Sequence, residues 1–489
     1  MKVSPLGKKH STGQLIFEPI DRVEFAKEID DNYGKTIDKG KGISDTISTF
    51  AVTRGLIEHK AGLDIGNPRE AGWTFLISED EPLFEEIKQA IRPLADYRGM
   101  TNPDRPIIFR SGASDDWKTW VEENLVSDPI TDKPPPHYLL IVGSPELVPF
   151  EFQSMLSIRC CTGRLDIDNK IENLQTYVKK VIDIEKGNPI VTDNTVIFAT
   201  DEGVNRTGCS DPTYYSHNYM AKPISRKLIQ NQLKFKTNEL MAEKATKQNL
   251  LDFAKKSNPC LVFTASHGTS PEGEKADVRE KYTGAIVCDG FRDSKDEQTS
   301  LITVDDIPQD SSFVEGGIFF QFGCFSYGAP SISDVMELVK TGGWGGLQYA
   351  PKSYVSPIPK KLLFNPHGPL AFIGHLDVTL LNSFTDPKNP SPDGEYDPRI
   401  DPLFTMMRRI LNGDPVGLAI TGLPQETSFA NRRSLADEQF RRLYNYHQLK
   451  KISDDDYFPK LADTYLDSAD AKNYLIFGDP AVSMKIMTT

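Results

Sequence analysis

"LVFTASHGTS", residues 261–270, runs from an apolar stretch into Thr264-Ala265-Ser266 and then His267-Gly268. Cys260 to Phe263 reads as a buried parallel strand, since such strands are short and continuously apolar. A strand of that kind has no structural need for an imidazole at its carboxyl end. In open α/β sheets that end is where ligands and chemistry gather. The histidine therefore asks for a partner, and "GGIFFQFGC", residues 316–324, offers one: a second apolar strand that ends on Cys324.

Around these two strands the chain alternates strands with helices. "WTFLIS" (73–78) precedes a helix on which Leu83, Phe84, Ile87, Ile91 and Leu94 recur at helical spacing. "PIIF" (106–109) and "HYLLIVG" (137–143) are further strands, and Ile171, Leu174, Val178, Val181 and Ile182 mark a long helix ended by Gly187. "NTVIFATDEG" (194–203) opens a second series, with helices near 224–234 and 246–257, the latter capped by Thr246. A helix capped by Ser333 and closed by Gly342 is expected after Cys324. "DPKNPSPDGEYDP" is a turn-rich connection, after which the chain is helical until a last strand in "NYLIFGDPAVSM". The pattern predicts an α/β fold of two α/β subdomains, with mostly parallel sheets flanked by helices. The segments are an N-terminal extension, 1–71; a first subdomain without catalytic residues, 72–190; a catalytic subdomain, 191–390; and a helical segment returning to the sheet, 391–489.

The bulk numbers narrow the function. A chain of 489 residues, 38% hydrophobic and 26% charged, has the makeup of an ordinary globular protein. Its net charge of −13 argues against nucleic acid as a partner. There is neither a membrane-spanning apolar run nor the apolar core of a secretory signal in "MKVSPLGKKHSTGQLIFEPI". Six cysteines without a CxxC pair suggest no disulfide framework and no zinc site, and a reducing cytoplasm is the expected location. "DNYGKTIDKGKGIS" lacks phosphate-loop spacing, and no cofactor or metal is implied.

If the two strands lie side by side, Cys324 and His267 emerge at one edge of the sheet. An imidazole there can take the thiol proton and generate the nucleophilic thiolate. The N–H groups of Gly268 and Cys324 can face the oxyanion of a tetrahedral intermediate, glycine permitting the close approach. Taken singly, each motif has a plain structural explanation, a core cysteine or a turn. The pairing is what points to catalysis. His375 follows a strand and reads as a structural or supporting residue; His217 and His367 lie in polar loops, and His217 reads as surface.

With the histidine ahead of the cysteine, the order is that of caspase-type folds, and the chain resembles the gingipain-like (peptidase family C25) and CHAT-type cysteine peptidases. "HYLLIVGSPELVPF", "TGRLDIDNKIENLQTYVKKVIDIEKG", "CLVFTASHGTS", "GIFFQFGCFSYG", "AFIGHLDVTLLNSF" and "YLIFGDPAVSM" carry the likeness, over about residues 105 to 485. The resemblance implies a caspase-like fold and a thiol endopeptidase with Cys324 as nucleophile and His267 as base. It implies Glu202 as the carboxylate supporting His267. It places Asp211, helped by Asp201, in an S1 pocket for lysine or arginine, with Arg206 the only residue nearby that would suit an aspartate-selective pocket. A protein or peptide substrate and a regulatory protein partner go with it. The charged insertion between the dyad residues carries Lys275, Arg279, Lys281, Arg292 and Lys295, so self-cleavage within 270–300 is expected. An idle α/β scaffold binding a partner in the same cleft is the alternative. An amidotransferase or acyl hydrolase would usually order Cys before His and show a nucleophile elbow.

Overall fold

The computed structural model describes residues 2–37, 63–110, 112, 117–125, 135–188, 190–203, 211–230, 235–270, 275–333, 335, 339, 350–380, 384–390, 396–421 and 429–485. Its frame is one ten-stranded sheet. Fourteen strands position the site. They are β1 (Gly7–Lys9), β2 (Trp73–Ser78), β3 (Ile107–Phe109), β4 (Tyr138–Val142), β5 (Cys161–Leu165), β6 (Thr192–Ala199), β7 (Lys236–Met241), β8 (Pro259–Ala265), β9 (Gly268–Ser270), β10 (Ile286–Val287), β11 (Leu301–Ile302), β12 (Ile318–Phe322), β13 (Ala371–His375) and β14 (Tyr474–Phe477). The large sheet runs β3-β2-β4-β5-β14-β13-β12-β8-β6-β7. Every neighbouring pair is parallel except β13 with β14.

That one antiparallel seam divides the sheet into two parallel halves of opposite direction. Each half has the strand order 2-1-3-4-5, and so a switch point where successive crossovers go to opposite sides. In the second half the switch lies between β6 and β8. Continuous apolar sequence is why these strands fit there: β8 and β12 are buried at every position. The expected strands and helices mostly appear where the patterns put them. Helices include α1 (Arg22–Ile37), α2 (Phe84–Tyr97), α3 (Ile171–Lys186), α4 (Lys222–Gln230) and α5 (Lys247–Lys256). Ile87, Ile91 and Leu94 of α2 and Leu174, Val178 and Val181 of α3 are buried. The Thr246 hydroxyl caps α5 by accepting from the Asn249 N–H at 3.3 Å. The helix expected at 333–341 lies largely outside the described residues.

The C-terminal strand is tied to the first half by the Gly-Asp-Pro turn that follows it. Asp479 is fully buried and accepts from Trp73 Nε1 at 2.9 Å and Arg98 Nε at 2.8 Å, while Arg98 also grips Glu185 of α3 at 2.6 Å. One carboxylate thus joins β2, the end of α2 and the closing turn. Removing one member of a buried charged cluster leaves its partner uncompensated. Asp479→Ala is expected to lose about 3–5 kcal/mol of stability. Urea unfolding tests this; a loss below about 1 kcal/mol would show that the cluster is not structural.

Candidate functional site

The site lies at the carboxyl ends of β6, β8 and β12, beside the switch point. β8 and β12 pair in parallel with Ala265 opposite Phe322. Two residues further along each strand stand His267 and Cys324, both fully buried. Their backbones are in contact: a Cβ on Gly268 would fall 1.9 Å from the Cys324 carbonyl oxygen, so only glycine fits. Phe325, next after Cys324, has a φ of 57°, which is uncommon for a bulky residue and marks a tight turn directly behind the sulfur.

His267 Nε2 lies 2.8 Å from Asp211 Oδ1. Burial alone would raise the Asp211 carboxyl, but His267 and then Lys8 outweigh it and hold the group well below its ordinary range. An ionised carboxylate only accepts, so Nε2 must carry the proton. In the neutral ring Nδ1 is the nitrogen left to accept a proton, and it is buried with no hydrogen-bond partner. His217 Nε2 is buried without a partner in the same way.

The acids expected from the sequence are placed differently. Asp211, assigned by resemblance to the S1 pocket, is the carboxylate on His267; Glu202, assigned to the histidine, instead receives the Lys8 ammonium. Asp201 belongs to neither group: it pairs with His217 Nδ1 at 2.7 Å and accepts the Gly203 N–H at 2.9 Å. His217, read as surface, is buried, and burial pulls its basicity down against the pull of Asp201. The reason is local. Asp211 caps the short helix Pro212–Ser216, accepting from the Thr213 N–H at 2.9 Å, and this anchors its carboxylate toward the end of β8. Arg206 and Cys209 fall outside the described residues. His375 on β13 lies 3.4 Å from Asp470 and packs against the rings of Phe322 and Tyr474, while His367 pairs with Glu315 at 2.9 Å.

Cys324 itself is engaged. Its thiol contacts the Thr379 carbonyl at 3.6 Å and receives the Thr379 N–H at 3.2 Å; burial pushes the thiol well above its ordinary range. The N–H groups of Gly268 and Cys324 converge on one oxygen, the carbonyl of Leu6, at 3.2 and 3.3 Å. Thr379, Leu6 and Lys8 were not foreseen from the sequence. The only signal was the basic "GKK" at 7–9, which composition could not connect to acids some two hundred residues away.

Glu202, Asp211 and His267 each offer a ligand atom, all within 4.8 Å of one another, a set with the chemistry to hold a divalent cation. The cation seated on Glu202 is the chain's own Lys8. No family model matches the chain, and no curated protein matches it significantly. Among the described residues no helix is long and apolar enough to cross a membrane.

The Asp211–His267 pair has a pH signature. A carboxyl depressed on folding contributes stability above its unfolded value, and loses it as pH falls through the lower folded value. Asp211→Asn should therefore be less stable than the parent at pH 7, with the deficit shrinking below the ordinary value of 3.8. Urea midpoints across pH 7 to 3 read this. A deficit independent of pH would show that the carboxylate's charge is not what is lost.

Proposed function

We propose that the chain is a cysteine endopeptidase with a caspase-like fold of the gingipain-like or CHAT type, working through a Cys324–His267 dyad in a reducing cytoplasm. The observation that carries this reading is the convergence of the Gly268 and Cys324 N–H groups on a single carbonyl oxygen beside the Cys324 sulfur. That is the arrangement an acyl-transfer site needs for the oxyanion. The two halves of the sheet, with the dyad in the second, agree with it, as does the proton-bearing Nε2 held by Asp211.

The chemistry follows from those groups. The thiol proton passes to His267 Nδ1, and the sulfur attacks the substrate carbonyl. The oxygen takes up charge between the two N–H groups. As the C–N bond breaks, the imidazolium returns the proton to the departing amine, leaving a thioester that water, activated by His267, hydrolyses. Asp211 orients the ring and stabilises its charged form, a positioning task. Glu202, already bound to a lysine ammonium, is the acid that would receive a basic P1 side chain, with Asp211 adding field. The exposed Lys275 stands at the edge of the inserted segment where self-cleavage is proposed.

One observation favours the idle-scaffold alternative: the thiol is hydrogen-bonded to Thr379 and covered by Leu6 and Gly7. Peptide-library profiling separates the two. Cleavage after lysine or arginine is expected, abolished in Cys324→Ala. Glu202→Gln should lower kcat/KM for basic relative to apolar P1 residues by about tenfold or more, as an unpaired acid penalises the wrong substrate. Cleavage retained by Cys324→Ala, or none by any form, would refute the peptidase reading, and unchanged P1 preference in Glu202→Gln would refute the pocket.

A further inference from the structure

We propose that residues 5–9, Pro-Leu-Gly-Lys-Lys, are a built-in pseudosubstrate that fills this cleft and holds the chain inactive. The inference deepens the peptidase reading in naming an inhibitory role, while the contact itself stands on geometry alone. β1 pairs in parallel with β9, Gly7 opposite Gly268 and Lys8 opposite Thr269, so the segment enters the site as an added strand. On its other side the Leu6 N–H donates to the Thr379 carbonyl at 2.8 Å, the same carbonyl that faces the thiol, and Pro5 bridges to Leu380.

Each catalytic element is then occupied by one piece of the strand. The Leu6 carbonyl uses both N–H groups of the oxyanion position. Gly7 lies over the sulfur: a Cβ there would come 2.8 Å from Cys324 Sγ and 2.2 Å from Ile16, so no other residue fits. The Lys8 ammonium bonds to Glu202, and its charge reaches Asp211. Lys8 is only 4% exposed, which for a lysine requires a partner of this kind.

The segment imitates a substrate in an unproductive register. The lysine sits on the acid, but the carbonyl between the N–H groups belongs to Leu6, two residues earlier. Recognition of the basic side chain and activation of its own carbonyl are uncoupled, which is what lets the strand occupy the site without being cut. It is held by its own packing as well. Residues 7–9 fold back on 14–16 through the Lys9 N–H to Gln14 and Ile16 N–H to Gly7 bonds, and Leu6, Ile16, Phe17 and Ile20 are buried. Activation requires this hairpin to be drawn out of the cleft.

The test reads Cys324 directly, using full-length Lys8→Glu, which sets a third carboxylate against Glu202 and Asp211. Alkylation by iodoacetamide at neutral pH, mapped by mass spectrometry, should speed up at Cys324 by about tenfold or more, the rate equivalent of about 1.4 kcal/mol. The peptide of residues 2–12 added in trans should slow it again. Cys160, Cys161, Cys260 and Cys288 are buried and serve as the folding control, remaining unlabelled. If Lys8→Glu labels these four as well as Cys324, it has unfolded, and Glu202→Gln, which removes the same ion pair from the cleft wall, decides. Wild-type labelling rates in the folded variants, or loss of protection at Cys324 only together with the other four in both, would overturn the proposal. Peptide turnover measured alongside keeps the two claims apart. Faster labelling without turnover leaves the pseudosubstrate contact standing and sinks the peptidase reading. Full turnover by the wild type, unchanged in Lys8→Glu, sinks the contact alone.

Discussion

The register of β8 against β12 is the constraint on which the rest depends. Ala265 opposite Phe322 carries the two chains forward in step, so that His267 and Cys324 leave the sheet together. A slip of one residue would send each side chain to the opposite face. The glycines lock the arrangement: Gly268 admits the Cys324 backbone, and Gly323, whose Cβ would meet the Ser266 carbonyl at 2.7 Å, admits the β8 end. Neither needs a left-handed backbone here; both are present because two main chains touch. Once the backbones are that close, the two N–H groups have little choice but to aim at a common point.

Much of the sheet was legible because local pattern and environment agree. β2, β8 and β12 are short apolar runs bounded by turn residues, and they are strands buried at every position. The amphipathic spacing of α2 and α3 is likewise a local property. The seam between β13 and β14 was not legible. Nothing in "AFIGH" or "YLIF" states that these two strands, about a hundred residues apart, pair with each other and in opposite directions. Pairing order is set by crossovers and by the Asp479 cluster, which joins residues some four hundred positions apart.

At the site, the residues whose position is fixed by their own strand were readable, and those whose placement depends on distant partners were not. His267 and Cys324 follow the ends of β8 and β12, Gly268 opens β9, and they come together. Which of Asp211 and Glu202 turns to the imidazole was not readable, because both follow β6 in a polar loop; in the fold Asp211, held by its cap on the Thr213 N–H, lies against His267, and Glu202 meets Lys8. Lys8 was invisible for the same reason. Its neutralisation of Glu202 is an interaction between the start of the chain and its middle, and nothing in a row of basic residues at 7–9 reports it.

Cys324 in this state is protonated, bonded to Thr379 and covered, so reactivity has to follow rearrangement rather than precede it. The most direct measurement is the mass of the adduct formed by a lysyl chloromethyl ketone on a chain opened by Lys8→Glu, with and without His267→Ala. The account predicts a single adduct localised to Cys324 and its near-complete loss when the imidazole is removed. Labelling of Cys324 at the same rate without His267, or labelling at another residue, would contradict it.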